Sequence, residues 1–215
     1  MIIGQMALSK FPMWEMCLSE LSLHCDKLFL RVEMDQNLNK KIEKISEICK
    51  NKLGDIFIAS EPFHKWKWRE QLIRMLDEIK PEIVISIDED EILDKSIDQE
   101  ILEFKVSDKK CMMVGYNPMP TKLGKIILNN KPYPLYPHCK VLKWQPGINY
   151  NNYHGNALPP MYHSSICWWK AKSKITHYCF YEESWYEQKV KTMKIYSVKN
   201  YFKTYYGTTL NGFDT

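Results

Sequence analysis

Glycine is scarce, with 8 in 215 residues, and none stands where a phosphate cradle would need it. No G-x-G-x-x-G follows the first apolar run and no G-x-x-x-x-G-K-[ST] occurs anywhere, which excludes a dinucleotide fingerprint and a P-loop. The seven cysteines (17, 25, 49, 111, 139, 167 and 179) contain no C-x-x-C pair. An odd set spaced in this way is neither a disulfide framework nor a standard zinc module, and reads as reduced, mostly buried thiols. No run approaches the roughly 18 apolar residues needed to cross a bilayer. Residues 1–12 lack the basic flank and apolar core of a signal peptide, so a cytoplasmic protein without a membrane span is expected. Acids are missing from 109–181, where ten lysines fall (109, 110, 122, 125, 131, 140, 143, 170, 172 and 174). A net charge of +4 is too mild to announce a nucleic-acid partner, but a balanced first half followed by a basic middle suits an anionic ligand held between them.

What is present centres on 83–91, Ile-Val-Ile-Ser-Ile-Asp-Glu-Asp-Glu. A β-branched run without polar alternation reads as a central parallel strand covered on both faces, with Ser86 its one small polar interruption. Ligands of open α/β sheets collect beyond the carboxyl ends of the strands, where these four acids stand. Asp88 and Asp90 lie two apart, close enough to serve one divalent cation and the phosphates it carries. The other reading of 88–91 is a solvated loop capping the next helix.

Around this strand the pattern alternates. Strands are expected at 2–8, 27–33 and 55–60. Helices are expected at 13–25, from apolar positions three and four apart, and at 38–53, closed by Gly54 just past the C-terminus. A third helix, opened by Ser60 and Pro62, runs to about 80, where Pro81 stops it. Consecutive βα units with right-handed crossovers predict a parallel, doubly wound α/β sheet. Ser96 with Gln99 forms a capping box for a helix through 104. Beyond it, 112–116 reads as a strand, 126–128 pairs with 141–144, and 149–160 has the profile of a binding loop. A last strand at 175–181 leads into a helix opened by Glu182 and Glu183 and ended by Gly207.

Three stretches carry a resemblance to the GT-A nucleotide-sugar glycosyltransferases, specifically their family 2-like group. They are Trp66-Lys67-Trp68-Arg69, Ile-Asp-Glu-Asp-Glu at 87–91, and His177-Tyr178 followed by Glu183, Trp185 and Lys189. The likeness spans nearly the whole chain and is similar in size to compact virus-encoded members such as the chlorella-virus glycosyltransferases, for which the location would be the host cytoplasm. It implies a GT-A-like fold with a mostly parallel central sheet flanked by helices, in a single domain over 1–215. Residues 1–91 would be the nucleotide-binding half and 92–215 the acceptor-binding half. The implied donor is a nucleotide diphosphate sugar, a UDP-sugar first, and the implied acceptor a saccharide or glycoprotein glycan. Asp88 would touch the ribose or the metal, Asp90 would ligate Mn²⁺ or Mg²⁺, and His177 would complete the metal site. Imidazole favours manganese of the two. Ala7, Ser9, Glu33, Arg69 and Ile87 would line the donor pocket. Sugars stack their apolar faces on aromatics, which points to Tyr116, Trp144, Tyr150, Tyr153, Trp168 and Trp169 for the acceptor.

Inverting members take their general base from the acceptor side, which here carries no acid. Three options follow: a histidine base, His154 or His163; a first-half acid, Glu89, Glu91 or Asp94; or retention of configuration with the leaving oxygen acting on the acceptor. Retention is the preferred reading. The same metal site would also suit a nucleotidyl- or phosphotransferase. Aromatics among lysines would equally suit a non-catalytic single-stranded nucleic-acid or glycan module.

Overall fold

Strand β1, Ile2–Leu8, carries a single polar side chain, Gln5, and is buried from Ile3 onward. The sheet is laid out on either side of it. A computed structural model describes residues 1–9, 11–60, 67–117, 119–120, 126–127, 138–149, 160–162 and 164–178. To one side of β1 lie β2 (Lys27–Glu33) and then β3 (Leu53–Ala59), both parallel. To the other lies β4 (Ile83–Ser86), also parallel. The other described strands are β5 (Glu91–Leu93), β6 (Cys111–Tyr116), β7 (Met119–Pro120), β8 (Ile126–Ile127), β9 (His138–Lys143) and β10 (Trp168–His177). The main sheet has eight strands in the order β3-β2-β1-β4-β9-β6-β10-β5. Strand β9 runs against both β4 and β6, and β5 against β10, while β6 and β10 are parallel. The result is a mixed α/β sheet, parallel throughout its β3-β2-β1-β4 half.

Two apolar layers cover this sheet. On one face α1 (Trp14–Leu23), α2 (Leu38–Cys49) and α4 (Ile97–Val106) bury Leu18, Ile45 and Phe104 against Met6, Leu8, Ile85 and Ile87. On the other, Leu72 and Ile73 of α3 (Lys67–Arg74), followed by Leu76, pack on Ile3, Ala7 and Val84. Alternation along β1 and β4 assigns odd and even positions to opposite layers, which is why both faces of these strands read as apolar. Among the described residues no helix is long and apolar enough to cross a membrane. The described cysteines are free thiols, all buried except the half-buried Cys167.

Several expectations are corrected. Gly54 does not close α2: the helix ends at Cys49, the left-handed turn falls on Lys50 (φ 49°), and Gly54 lies inside β3. Its role is clearance, since an added Cβ would stand 2.5 Å from Phe29 Cε2 and 3.1 Å from the Leu28 carbonyl. Of the expected 126–128 strand, Ile126–Ile127 is described and pairs with Met119–Pro120, whereas Val141–Lys143 is taken up by β4 and β6. Ser96 does precede α4, but its hydroxyl bonds Asp94 and Ser173 and no capping box forms. The last described strand begins at Trp168, seven residues before the expected 175, because it pairs with β6 from Trp168 to Ile175 and meets β5 only over Ile175–His177. The helix expected after 181 lies outside the described residues.

Replacing Gly54 by alanine forces its Cβ into the Phe29 ring, and overpacking of this kind costs about 1–3 kcal/mol. Urea unfolding of Gly54→Ala should show that loss, whereas a change under about 0.5 kcal/mol would mean the ring swings aside.

Candidate active site at the head of the central strands

Strand β4 stops at Ser86, opposite Gln5, and the last contact of the pair is Ile87 N–H donating to the Gln5 carbonyl at 3.2 Å. Strand β1 runs on for three more residues against β2 alone. The chain leaves β1 toward β2 and β3 on one side and returns as β4 on the other, so a crevice opens between their carboxyl ends. The acids at 88–91 follow directly on β4 at this end, Asp88 and Glu89 half-buried and Asp90 and Glu91 buried.

Their loop is pinned from beneath. Glu91 N–H donates to the Asp88 carbonyl at 3.1 Å, and Asp88 N–H donates to Glu91 Oε2 at 2.9 Å. The same carboxylate takes Lys140 Nζ at 2.6 Å and Tyr116 OH at 2.7 Å. The Lys140 and Glu91 side chains are 0% and 1% exposed. Two charges taken that far from water hold only when each is fully answered, and Glu91 is answered on both oxygens.

Above this staple the other acids separate in role. Asp88 Oδ1 accepts from Arg69 Nη2 at 3.0 Å, and its Oδ2 lies 3.6 Å from Lys140 Nζ. Asp90 faces β10 instead. The pairing of His177 with Glu91 carries the imidazole across, so that His177 Nε2 lies 3.0 Å from Asp90 Oδ2, and Tyr178 N–H donates to the Asp90 carbonyl at 2.8 Å. Glu89 reaches over the crevice to the end of β1, where Ser9 donates both its N–H, at 2.7 Å, and its hydroxyl. Loss of hydration raises the Glu89 carboxyl to about 8 despite those two donors. Lys41 steadies this corner through the Ser9 carbonyl at 2.7 Å and Asp35 at 3.0 Å. His138 meets the Tyr116 ring edge-on at 5.4 Å, and burial first, then Lys140, drives its imidazole down to about 3, so it stays neutral.

Of the three expected metal ligands, Asp90 and His177 are brought together and Asp88 is not. Donors about 2.1 Å from one octahedral ion stand about 3 Å apart when adjacent. Asp90 Oδ2 and His177 Nε2 are hydrogen-bonded to each other at 3.0 Å, a separation that two adjacent ligands of one ion would also have. Asp88 is engaged by Arg69 and Lys140, and among the described residues no three His, Cys, Asp or Glu side chains converge.

Of the other expected residues, Ala7 is buried at the end of β1, Ser9 is half-buried on Glu89, and Glu33 is half-buried at the end of β2. Ile87 is a core residue. The described members of the expected acceptor set lie on both faces of the sheet, with Trp169 packed on the layer of α1, α2 and α4. Tyr116 belongs to the layer of α1, α2 and α4 and gives its hydroxyl to Glu91. Trp144 and Trp168 pack on the opposite layer, where Trp168 donates to the Tyr162 carbonyl at 2.8 Å. Tyr150, Tyr153, His154 and His163 lie outside the described residues. Sequence reasoning missed Lys140, although a lysine inside the strand stretch His-Cys-Lys-Val-Leu-Lys is a usable sign of a buried partner acid. It also passed over Gln5, the one polar residue of β1.

Comparison with known proteins returns no matching family model and no matching curated protein. Among solved structures, a putative glucose-1-phosphate thymidylyltransferase from Bacillus anthracis overlaps with TM-score 0.47 and 9% identity, covering 92% of this chain and 97% of that one. A 4-diphosphocytidyl-2C-methyl-D-erythritol synthase from Anaerococcus prevotii gives 0.46 and 11%, covering 66% and 69%. S. aureus TarS 1–349 in complex with UDP-GlcNAc gives 0.44 and 10%, covering 54% of this chain; the overlap spans about a third (34%) of the TarS fragment. At such identities and TM-scores these overlaps bear on neither activity nor substrate.

Two outcomes follow from the geometry. Lys140→Met leaves Glu91 buried without its cation and should cost about 3–5 kcal/mol in chemical denaturation. Adding Glu91→Gln, whose oxygen still accepts from Asp88 N–H and whose amide nitrogen can donate to the Tyr116 hydroxyl oxygen, should restore most of it. For Glu89, the folded protein holds the proton more tightly than the unfolded chain, so stability falls as pH rises from about 4.5 to about 8 and stays low above. Glu89→Gln should remove that slope when unfolding is measured across this range.

Proposed function

We propose that this protein transfers a sugar from a nucleoside-diphosphate sugar, a UDP-sugar first, to a saccharide acceptor. One observation carries this reading. The aspartates at the end of the central strand stand at the crevice where the sheet order reverses, one paired with Arg69 and Lys140 and the other side by side with His177. Neutral sugar substrates need no such concentration of charge, whereas a diphosphate leaving group does.

Asp90 and His177 are the residues that would hold a divalent ion, manganese before magnesium. When bound, such an ion supplies Lewis-acid compensation of the departing diphosphate. Arg69 holds Asp88 against α3 and keeps that carboxylate turned to the crevice for the ribose. The Glu91 staple fixes the loop so that neither aspartate has to be ordered by substrate. In the transfer the bond from the anomeric carbon to the phosphate oxygen breaks, its electron pair staying on phosphate, and the acceptor oxygen bonds the anomeric carbon. The acceptor proton goes to the departing phosphate oxygen in the retaining course preferred here. His154 is the alternative base.

The test is a thermal-shift and turnover series with UDP-sugars, with and without Mn²⁺. Binding to the folded state alone raises apparent stability, so UDP with Mn²⁺ should raise the melting temperature, and UDP-sugar should be turned over to UDP. Asp90→Asn and His177→Ala should each lose the manganese-dependent part of the shift and at least about a hundredfold in turnover. Release of pyrophosphate from a nucleoside triphosphate, with no turnover of UDP-sugar, would assign nucleotidyl transfer instead. Salt-sensitive oligonucleotide binding with neither activity would assign a binding module.

A further inference from the structure

The main sheet ends in two unlike edges. At one, β5 is three residues long, too short to offer much to another chain. At the other, β3 is seven residues long and, among the described residues, is paired only with β2. An edge strand presents every second N–H and C=O outward, a ready template for a further strand. Proline, lysine or inward-turned charge normally blunts such an edge. Between Leu53 and Ala59 there is no proline and no lysine, and the one charge is Asp55. The irregularity in its pairing falls between Leu28 and Phe29 of β2, so from Asp55 to Ala59 the register is unbroken.

The side chains of this edge are exposed too. Phe57 is 36% and Ile58 42% exposed, and Met34, whose N–H donates to the Ala59 carbonyl at 2.9 Å, is 54% exposed. They do not share a face. Ile56 and Ile58 stand opposite Leu30 and Val32, which belong to the layer of α1, α2 and α4. Phe57 stands opposite Arg31, which bonds Gln71 of α3, and so lies on the other face. A helix laid on the sheet would cover one of these faces and leave the other wet. A strand added to the edge covers both and answers the outward backbone groups as well.

The residues of the edge select the strand. Set antiparallel against itself about Phe57, β3 places Phe57 on Phe57, Ile56 on Ile58 and Asp55 on Ala59. Every cross-strand pair is then apolar or sets the acid against a small neutral residue, and no like charges meet. The opposed direction also carries the start of β3, preceded by Lys50 and Lys52, toward the partner's other end, where Glu33 closes β2. We infer that two copies of this chain join through β3 into one continuous sheet, about a two-fold axis at Phe57. An edge that meets itself closes the pair, so assembly stops at two. A single strand pair is smaller than the ~1,200–2,000 Å² of standard interfaces, so the association is of micromolar strength. The contact lies three strands from β4 and does not depend on the proposed transfer.

The experiment is analytical ultracentrifugation of the full chain from about 1 to about 200 µM. Wild type should pass from monomer to dimer over this range and go no further. Phe57→Lys and Phe57→Asp each set like charges opposite each other at the axis, and each should weaken association at least about tenfold. Both replace an exposed side chain, so the urea midpoint of the dilute protein should stay where it is. Mixed in equal amounts, the two variants should regain the dimer, because the opposed positions then carry opposite charges. Ile58→Lys, on the other face of the strand, should weaken association as well. Val106→Lys, at an exposed apolar position on α4, should not. A wild type still monomeric at about 200 µM leaves the edge to a strand from another protein and overturns the inference. So does a dimer indifferent to the Phe57 substitutions, one that mixing fails to restore, or one that Ile58→Lys leaves intact, which would assign a contact on a single face.

Discussion

A buried lysine and a buried glutamate hold the working end of this sheet in place. Glu91 begins β5, Lys140 lies within β9, and the same carboxylate also takes the Tyr116 hydroxyl from β6 and the amide of Asp88. Three segments far apart in sequence, the loop at 88–91, Tyr116 and Lys140, thus meet at one group that water does not reach. Charges in that position tolerate little displacement, because moving any partner exposes the others to an uncompensated field. The pair therefore contributes less to net stability than to fixing where the loop at 88–91 stands relative to the strands beneath it.

That constraint explains why the acids diverge. With Glu91 drawn inward, the turn presents Asp88 to α3 and Asp90 to β10, and Glu89 crosses to Ser9 at the end of β1. Three acids in succession thus meet three different elements, and none faces a like charge without a cation or a donor nearby. The Glu89 carboxyl still rises to about 8, because two donors do not replace the water it loses. His138, beside the same cluster, stays neutral for the complementary reason: its protonated form would be both dehydrated and close to Lys140.

Much of this was legible beforehand. The apolar run of 83–87 emptying into acids marked the central strand and its head, and the alternation of strands and helices through residue 80 gave the parallel half of the sheet. Errors arose where a local rule met a tertiary demand. Gly54 looks like a helix terminator, yet its lack of a Cβ serves the Phe29 ring in the neighbouring strand. Ser96 and Gln99 have the spacing of a capping box, but Ser173 from a distant strand takes part of the serine hydroxyl.

What the sequence determined by itself is the set of local preferences: β-branched runs that must be covered on both faces, helical stripes three and four apart, and a cluster of acids where a strand ends. These depend on neighbours within a few residues, so they survive without knowledge of the fold. Only tertiary structure decided that β9 turns against the parallel direction, that Lys140 stands under the acids, that His177 rather than Asp88 shares Asp90, and that Gln5 lies beside Ser86. Such pairings join residues from about 50 to nearly 90 positions apart, and at that separation the partner is chosen by strand order and register. Spacing along the chain carries no record of either.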